Sequence, residues 1–107
     1  MAEEPDWPEV FQEVFSRPAS RAQERVWRAA FGAEYPEEIE PYSYISRTEL
    51  ERFADELRVG PGDTLVDVGC GRGGPGLWIA GSTGASLIGL DIAESALDAA
   101  RARAADA

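Results

Sequence analysis

The sequence predicts an α/β fold in which a helical N-terminal segment precedes the β-α-β-α start of a parallel sheet. Three observations predict it. Helix-capping signals and apolar residues at helical spacing fill residues 1–59, two short apolar runs follow, and a glycine-rich loop joins the first run to a helix. Strands that alternate with helices favour a parallel sheet with right-handed crossovers. The turn-forming cluster at residues 60–63 divides the chain into a helical segment, 1–59, and a sheet-forming segment, 60–107.

Three helices are predicted in the helical segment, because three capping residues are each followed by a glutamate or glutamine three positions later. The pairs are Asp6 with Glu9, Ser20 with Gln23, and Ser46 with Glu49. Pro18 is expected to end the first helix and Gly32 the second. The apolar stripes of the helices are predicted to pack into the core, and their acidic residues to form a solvated face. Packing is also expected for the tyrosine-rich loop at residues 33–46.

The sheet-forming segment is more regular. Residues 64–68 are apolar on both faces until Asp67, which predicts a buried strand of a parallel sheet. A glycine-rich loop is expected at 69–76, with Pro75 in the first turn of a short helix that ends near Gly81 or Gly84. A second strand is expected at 85–91 and an alanine-rich helix at 93–107.

Charge and composition exclude several classes of function. Twenty acidic and ten basic residues give a net charge of −10, so neither nucleic acid nor an anionic membrane surface is an expected partner. All ten basic residues are arginine, which excludes lysine Schiff bases, histidine bases and histidine zinc sites within these residues. The single Cys70 cannot form an internal disulfide.

No targeting or membrane segment is predicted. The first six residues are acidic and contain no apolar core, unlike a signal peptide. The longest apolar stretches fall far short of the ~20 residues that cross a bilayer. A cytoplasmic location is therefore expected.

The glycine-rich loop is the main candidate site. Residues 69–74 fit the pattern G-x-G-x-x-G, directly after a strand and before a helix. Glycines allow a tight turn and a close ligand, and the amides at a helix N-terminus favour a negative group. Asp91 ends the second strand, where a carboxylate can accept hydrogen bonds from ribose hydroxyls. The alternative is that Asp91 only caps the helix after it.

Asp67 bears on which nucleotide would bind there. It lies two residues before the first glycine, where a carboxylate would repel the pyrophosphate of a nicotinamide dinucleotide. The amino acid moiety of S-adenosylmethionine (SAM) carries an ammonium group, which a nearby negative charge favours. The residues therefore favour SAM over a dinucleotide.

Residues 65–74, LVDVGCGRGG, resemble motif I of the class I SAM-dependent methyltransferases, with core D-x-G-C-G-x-G, and residues 89–93 resemble the acidic motif that follows it. The helical segment is similar to the N-terminal lid of small-molecule members of this family, which often carry an aromatic-Ser-aromatic segment like residues 42–44. The resemblance implies a helical lid followed by the first β-α-β-α of a Rossmann-like sheet.

The resemblance also implies a role for each matching residue. The backbone of Gly69, Gly71 and Gly73 would hold the methionine part of SAM, and Cys70 would be a small loop residue. Asp67 would support the loop or the ammonium group. Asp91 would bind the ribose hydroxyls, with Ile92 packed on the adenine. Tyr42 and Ser43 would reach the methionine carboxylate from the lid.

The chain departs from the family in its number of strands, since two are predicted and the family has seven. We therefore expect a parent protein about twice as long or longer, and no activity from these residues alone. The predicted function is transfer of the SAM methyl group to an O, N or C nucleophile of a small molecule. Two alternatives stay open: a non-enzymatic module that binds a partner or dimerises, and a fragment of an NAD-binding oxidoreductase.

Overall fold

A computed structural model describes residues 3–40 and 42–106 of the chain. Three helices come first: α1 spans Trp7–Val14, α2 spans Arg21–Phe31 and α3 spans Arg47–Leu57, with a 3-10 turn, Gly32–Glu34, after α2. The remaining elements alternate. Strand β1 is Thr64–Val68, helix α4 is Gly74–Thr83, strand β2 is Ser86–Leu90 and helix α5 is Glu94–Asp106. The predicted order of helices and strands is confirmed.

The predicted helix caps are confirmed at all three positions. The Asp6 carboxylate accepts a hydrogen bond from the Glu9 amide at 3.2 Å, and the Ser20 hydroxyl accepts one from the Gln23 amide at 3.1 Å. Ser46 forms the complete reciprocal capping box with Glu49. These bonds satisfy amides that have no partner inside the helix. The first helix ends at Val14, before Pro18, because its last turn closes on Phe15.

Boundaries in the second half differ from the prediction by a few residues. Helix α4 begins at Gly74, so the glycine loop ends at Gly73 rather than at residue 76. Of the two expected ends of α4, Gly84 is the one observed, as a left-handed cap with φ 81°. Strand β2 is one residue shorter at each end than expected, and α5 begins one residue later. The expected last residue of α5, Ala107, lies outside the described residues.

The two strands form a parallel pair in which Thr64 lies opposite Ser86 and Val68 opposite Leu90. Helix α4 packs on one face, where an ideal Cβ on Gly76 would lie 3.4 Å from the Leu87 side chain. Val66, Val68, Ile88 and Leu90 point to the other face and are 51–80% exposed. The prediction that both faces of β1 are buried is therefore wrong for the described residues.

The core lies between α4, α3 and the loop after the 3-10 turn. Leu50 of α3 is fully buried, and Ile39 and Ile79 are 4% and 7% exposed. The apolar stripes of α1 and α2 behave differently, since neither helix contains a buried residue. The prediction that these stripes belong to the core is wrong. Phe11 of α1 lines a cavity at the carboxyl ends of the strands, and Trp27 of α2 packs against the exposed Tyr44. None of the described helices is long and apolar enough to cross a membrane.

Candidate functional site

The glycine loop connects β1 to α4 through three left-handed backbone positions. Gly69, Gly71 and Gly73 have φ of 74°, 56° and 86°, which side-chain-bearing residues rarely adopt. The amides of Gly69 and Cys70 both donate to the Leu90 carbonyl, at 2.7 and 3.0 Å. The loop is thus held against the end of β2, and the predicted strand-loop-helix context is present.

Asp91 joins the end of β2 to this loop. Its Oδ2 accepts a hydrogen bond from the Gly71 amide at 2.8 Å, and its Oδ1 accepts one from the Ala93 amide at 2.9 Å. The second bond forms an Asx turn directly before α5. Because the Ala93 amide lies outside the helix, the alternative role of Asp91 as a cap of α5 is not observed in the described residues. A carboxylate oxygen can accept more than one hydrogen bond, so both atoms keep capacity for ribose hydroxyls.

Asp67 is the next-to-last residue of β1, and its side chain lies on the α4 side of the sheet. An ideal Cβ built on Gly76 would lie 2.6 Å from its Oδ2, so the carboxylate packs directly against the first turn of α4. Burial raises the pKa of Asp67, and the nearby charge of Asp91 raises it further. No hydrogen-bond donor for this carboxylate occurs within residues 3–40 and 42–106. Within the described residues, Asp67 thus contacts α4 by packing alone.

Cys70 is a packing residue of the loop. Its side chain is 8% exposed, and its Sγ lies 2.8 Å from where a Cβ of residue 89 would stand. Burial raises the pKa of the thiol, and the charges of Asp67 and Asp91 add to the effect. Because the thiolate is the nucleophilic form, these causes favour an unreactive thiol.

The C-terminal end of helix α1 lies over the loop and is fixed there by two contacts. Ser95, in the first turn of α5, donates its amide to Gln12 Oε1 at 3.0 Å and its hydroxyl to the Gln12 carbonyl at 2.7 Å. The Phe15 ring lies 3.7 Å from the Cβ position of Gly71. The helical segment therefore reaches the predicted cofactor loop directly.

Tyr42 and Ser43 lie beside the same loop. The Tyr42 ring packs against Phe15 with centroids 5.5 Å apart, and its hydroxyl donates to the Arg17 carbonyl at 2.5 Å. Both residues line a small cavity of about 120 Å³ together with Gly69 and Gly71. They are close to the loop, but the Tyr42 hydroxyl is engaged with the helical segment.

Sequence reasoning missed a cluster of three charged residues at this point. Glu40 Oε1 accepts hydrogen bonds from Arg72 Nε and Arg103 Nη1, both at 2.8 Å. The three come from the loop before α3, the glycine loop and α5, with sequence separations of 32 and 63 residues. No local pattern in the sequence signals such a contact, because its members lie on three separate segments.

A larger cavity of about 580 Å³ opens at the ends of the strands. Its lining is mostly apolar and comprises Phe11, Phe15, Val68, Gly69, Leu90, Asp91 and Ile92. Ile92 is 62% exposed, so its apolar side chain is free to contact a flat ring. An apolar wall beside the Asp91 carboxylate and a glycine turn fits a nucleoside-containing cofactor.

No protein-family model matches the chain. The chain is 35% identical over 68 residues to methyltransferase GfsG of Streptomyces halstedii. The aligned residues cover 64% of this chain and 24% of that protein. The chain is also 46% identical over 57 residues to 24-methylenesterol C-methyltransferase 2 of Oryza sativa subsp. japonica. The aligned residues cover 53% of this chain and 16% of that protein. The chain thus spans about a quarter or less of the length of these curated relatives.

Solved structures share the fold. One is geranyl diphosphate C-methyltransferase from Streptomyces coelicolor A3(2), solved in complex with Mg²⁺, geranyl-S-thiolodiphosphate and S-adenosyl-L-homocysteine. The superposition covers 99% of this chain and 46% of that chain, with a TM-score of 0.62 and 21% sequence identity. A geranyl diphosphate methyltransferase with GPP and sinefungin matches 94% and 44%, with a TM-score of 0.61 and 23% identity. In sequence and in fold, the chain matches the N-terminal portion of the class I SAM-dependent methyltransferases.

Proposed function

We propose that the protein transfers the methyl group of SAM to a small molecule. The observation that carries the proposal is the hydrogen bond between the Gly71 amide and Asp91 Oδ2, 2.8 Å long, at the ends of two parallel strands. It joins the glycine turn to a carboxylate beside an apolar cavity. The similarity to methyltransferases in sequence supports the same conclusion.

The proposed roles follow the placement of the residues. The turn at Gly69, Cys70, Gly71 and Gly73 holds the methionine part of SAM, and Asp67 supports that turn from the α4 side. When bound, SAM supplies a methyl group on a positively charged sulfur, which the nearby carboxylates favour.

Asp91 accepts hydrogen bonds from the ribose hydroxyls, and Ile92 contacts the adenine. Tyr42 and Ser43 face the methionine carboxylate. In this arrangement residues 1–59 form a lid over the cofactor-binding unit, residues 60–107. The contacts of Gln12 with Ser95 and of Phe15 with Gly71 support the division into lid and unit.

We propose a methyl acceptor with a large hydrocarbon part. Two of the proteins reported above are, by their names, C-methyltransferases of a methylenesterol and of geranyl diphosphate, and both names include such a hydrocarbon. The largely apolar lining of the 580 Å³ cavity supports an acceptor of that character. A cytoplasmic location and a homodimer stay predictions.

Thermal unfolding with and without S-adenosylhomocysteine tests the cofactor assignment. The ligand at about 100 times its Kd should stabilise the protein by ~2.7 kcal/mol, which is measured as a higher Tm. NAD should have no effect. NAD binding without S-adenosylhomocysteine binding would instead favour the oxidoreductase, and a folded protein indifferent to both would favour the non-enzymatic module.

A deoxyribose analogue of S-adenosylhomocysteine tests the role of Asp91. The wild-type protein should bind the analogue about tenfold more weakly than the natural ligand, since a charged hydrogen bond contributes ~1.5–3 kcal/mol. Asp91→Asn should discriminate less between the two ligands. Asp98→Asn, an exposed carboxylate on α5, is the matched control and should behave as wild type. Equal discrimination by Asp91→Asn and wild type would exclude the ribose contact.

A further inference from the structure

The ion-pair cluster of Glu40, Arg72 and Arg103 differs from the other ion pairs of the described residues. Its side chains are 21%, 13% and 26% exposed. Those of the other pairs are 31–75% exposed. An ion pair with less solvent around it is screened less by salt and interacts more strongly. This cluster is therefore the one in which pairing contributes most to holding segments together.

Each member of the cluster also bonds to a second part of the chain. Arg72 Nη1 donates to the Phe15 carbonyl, directly after α1, at 2.9 Å. Arg103 Nη2 donates to the Glu38 carbonyl at 3.1 Å. Glu40 Oε2 accepts a hydrogen bond from the Ala19 amide at 3.4 Å. The cluster thus connects the end of α1, the loop before α3, the glycine loop and α5.

Arg72 lies between Gly71 and Gly73, which both have a left-handed backbone. Its guanidinium is hydrogen-bonded to two residues of the lid, Glu40 and Phe15. A movement of α1 or of the loop before α3 must therefore either break its bonds or shift the glycine turn. Ile39 adds an apolar contact beside it, with its Cβ 3.1 Å from the Cβ position of Gly74. The position of the lid and the conformation of the turn are mechanically linked.

We propose that Glu40 is a positioning residue that locks the lid onto the glycine turn through Arg72 and Arg103. Loss of the Glu40 charge leaves two guanidiniums facing each other without a counter-charge, which opens the lid and loosens the turn. The effect on cofactor affinity rests on the proposed function, whereas the effect on lid opening does not. By linkage, a ligand that orders the turn also holds the lid closed.

Hydrogen–deuterium exchange of the unliganded protein tests the lock itself. Glu40→Gln should raise exchange at the amides of α1 and at Gly71 and Gly73 about tenfold, the change that ~1.4 kcal/mol produces. The β1–β2 ladder should exchange as in wild type. Glu38→Gln is the matched control, because the Glu38 carboxylate pairs with Arg47 inside the lid. Unchanged exchange of α1 and of the turn in Glu40→Gln would overturn the proposal.

A second pair of variants tests the same ion pair from the Arg103 side, in case Glu40→Gln fails to fold. Arg103→Gln should raise exchange in the same segments, whereas Arg103→Lys, which keeps a charge within reach of Glu40, should restore most of the protection. Arg101→Gln is the control, since among the described residues the partners of Arg101 are Glu94 and Asp98, both within α5. Equal exchange in Arg103→Gln and Arg103→Lys would show that the charge pairing does not hold the lid.

Titration of the same variants with S-adenosylhomocysteine tests the coupling to the cofactor. Glu40→Gln should bind it about tenfold more weakly than Glu38→Gln. Faster exchange with unchanged affinity would overturn the coupling. If the wild-type protein itself fails to bind S-adenosylhomocysteine, the proposed function fails, and the exchange experiment still decides whether the lock exists.

Discussion

Two glycines that received no individual role in the sequence analysis, Gly76 and Gly89, determine how closely the backbone approaches neighbouring side chains. Gly76 leaves room for the Asp67 carboxylate, and Gly89 leaves room for the Cys70 thiol. Neither has a left-handed backbone, so the reason for glycine is space and not conformation. Both positions lie beside the candidate site, where a displaced side chain would shift the glycine turn.

Gly89→Ala is expected to destabilise the protein by ~1–3 kcal/mol, the usual cost of overpacking, because the new Cβ would lie 2.8 Å from Cys70 Sγ. Denaturant unfolding measures the change. In a Cys70→Ala background the same substitution should cost less, since the sulfur is gone. Gly81→Ala is the control, because its Cβ position meets no atom within 4 Å. Additive effects of Gly89→Ala and Cys70→Ala would contradict this packing explanation.

The pH dependence of stability should report on Asp67. Its pKa is raised in the folded state, so the folded protein binds the proton more tightly than the unfolded chain. Stability is therefore lost as pH rises from the unfolded pKa through the folded one. Asp67→Asn should remove this loss, so its stability advantage over wild type should grow with pH and then level off. Urea unfolding at a series of pH values from about 3 to 8 measures it.

The same Asp67→Asn variant separates stability from function. If the carboxylate supports the cofactor site, the variant should be more stable at neutral pH and bind S-adenosylhomocysteine more weakly. Asp63→Asn would be a poor control, because the Asp63 carboxylate accepts a hydrogen bond from the Gly60 amide. Asp55→Asn on α3 is better matched, since no hydrogen bond to its side chain occurs in the described residues. An advantage of Asp67→Asn that shrinks as pH rises would contradict the raised pKa.

Helix caps are the element-scale feature that the sequence predicted best, because a cap depends on residues three positions apart. At α3 the tertiary structure adds a further acceptor. The Glu34 carboxylate accepts a hydrogen bond from the Thr48 amide at 2.9 Å and one from the Thr48 hydroxyl at 2.7 Å. These bonds lower the pKa of Glu34. The start of α3 is thus held by two acceptors, one local and one from 14 residues away.

Ser46→Ala should destabilise the protein by about 1 kcal/mol, the usual cost of losing an N-cap. Thermal unfolding followed by circular dichroism measures the loss. Ser86→Ala, at an exposed strand position, is the control and should change the Tm little. Lowering the pH through the folded pKa of Glu34 should remove that second acceptor and enlarge the cost of Ser46→Ala. A cost that is unchanged by acid would mean that the two acceptors act independently.

At the scale of the whole molecule, the helical segment and the sheet unit meet around the carboxyl ends of the strands. Gln12 with Ser95 fixes one side, and the cluster of Glu40, Arg72 and Arg103 fixes the other. Phe11 of α1 and Phe15 directly after it line the 580 Å³ cavity between these contacts and are not buried in the core. The apolar spacing of α1 correctly predicts a helix and wrongly predicts core packing, because amphipathic spacing does not reveal what a helix faces.

The sequence by itself determined the elements, the parallel order of the strands and the glycine motif with Asp67 and Asp91, since each depends on near neighbours or on alternation along the chain. The tertiary structure alone decided which sheet face is covered, that Asp91 accepts a hydrogen bond from Gly71, and that Glu40 pairs with two arginines. These hydrogen bonds join residues 20 to 63 positions apart. Only the folded chain brings such groups together, because no local preference encodes a contact between distant segments.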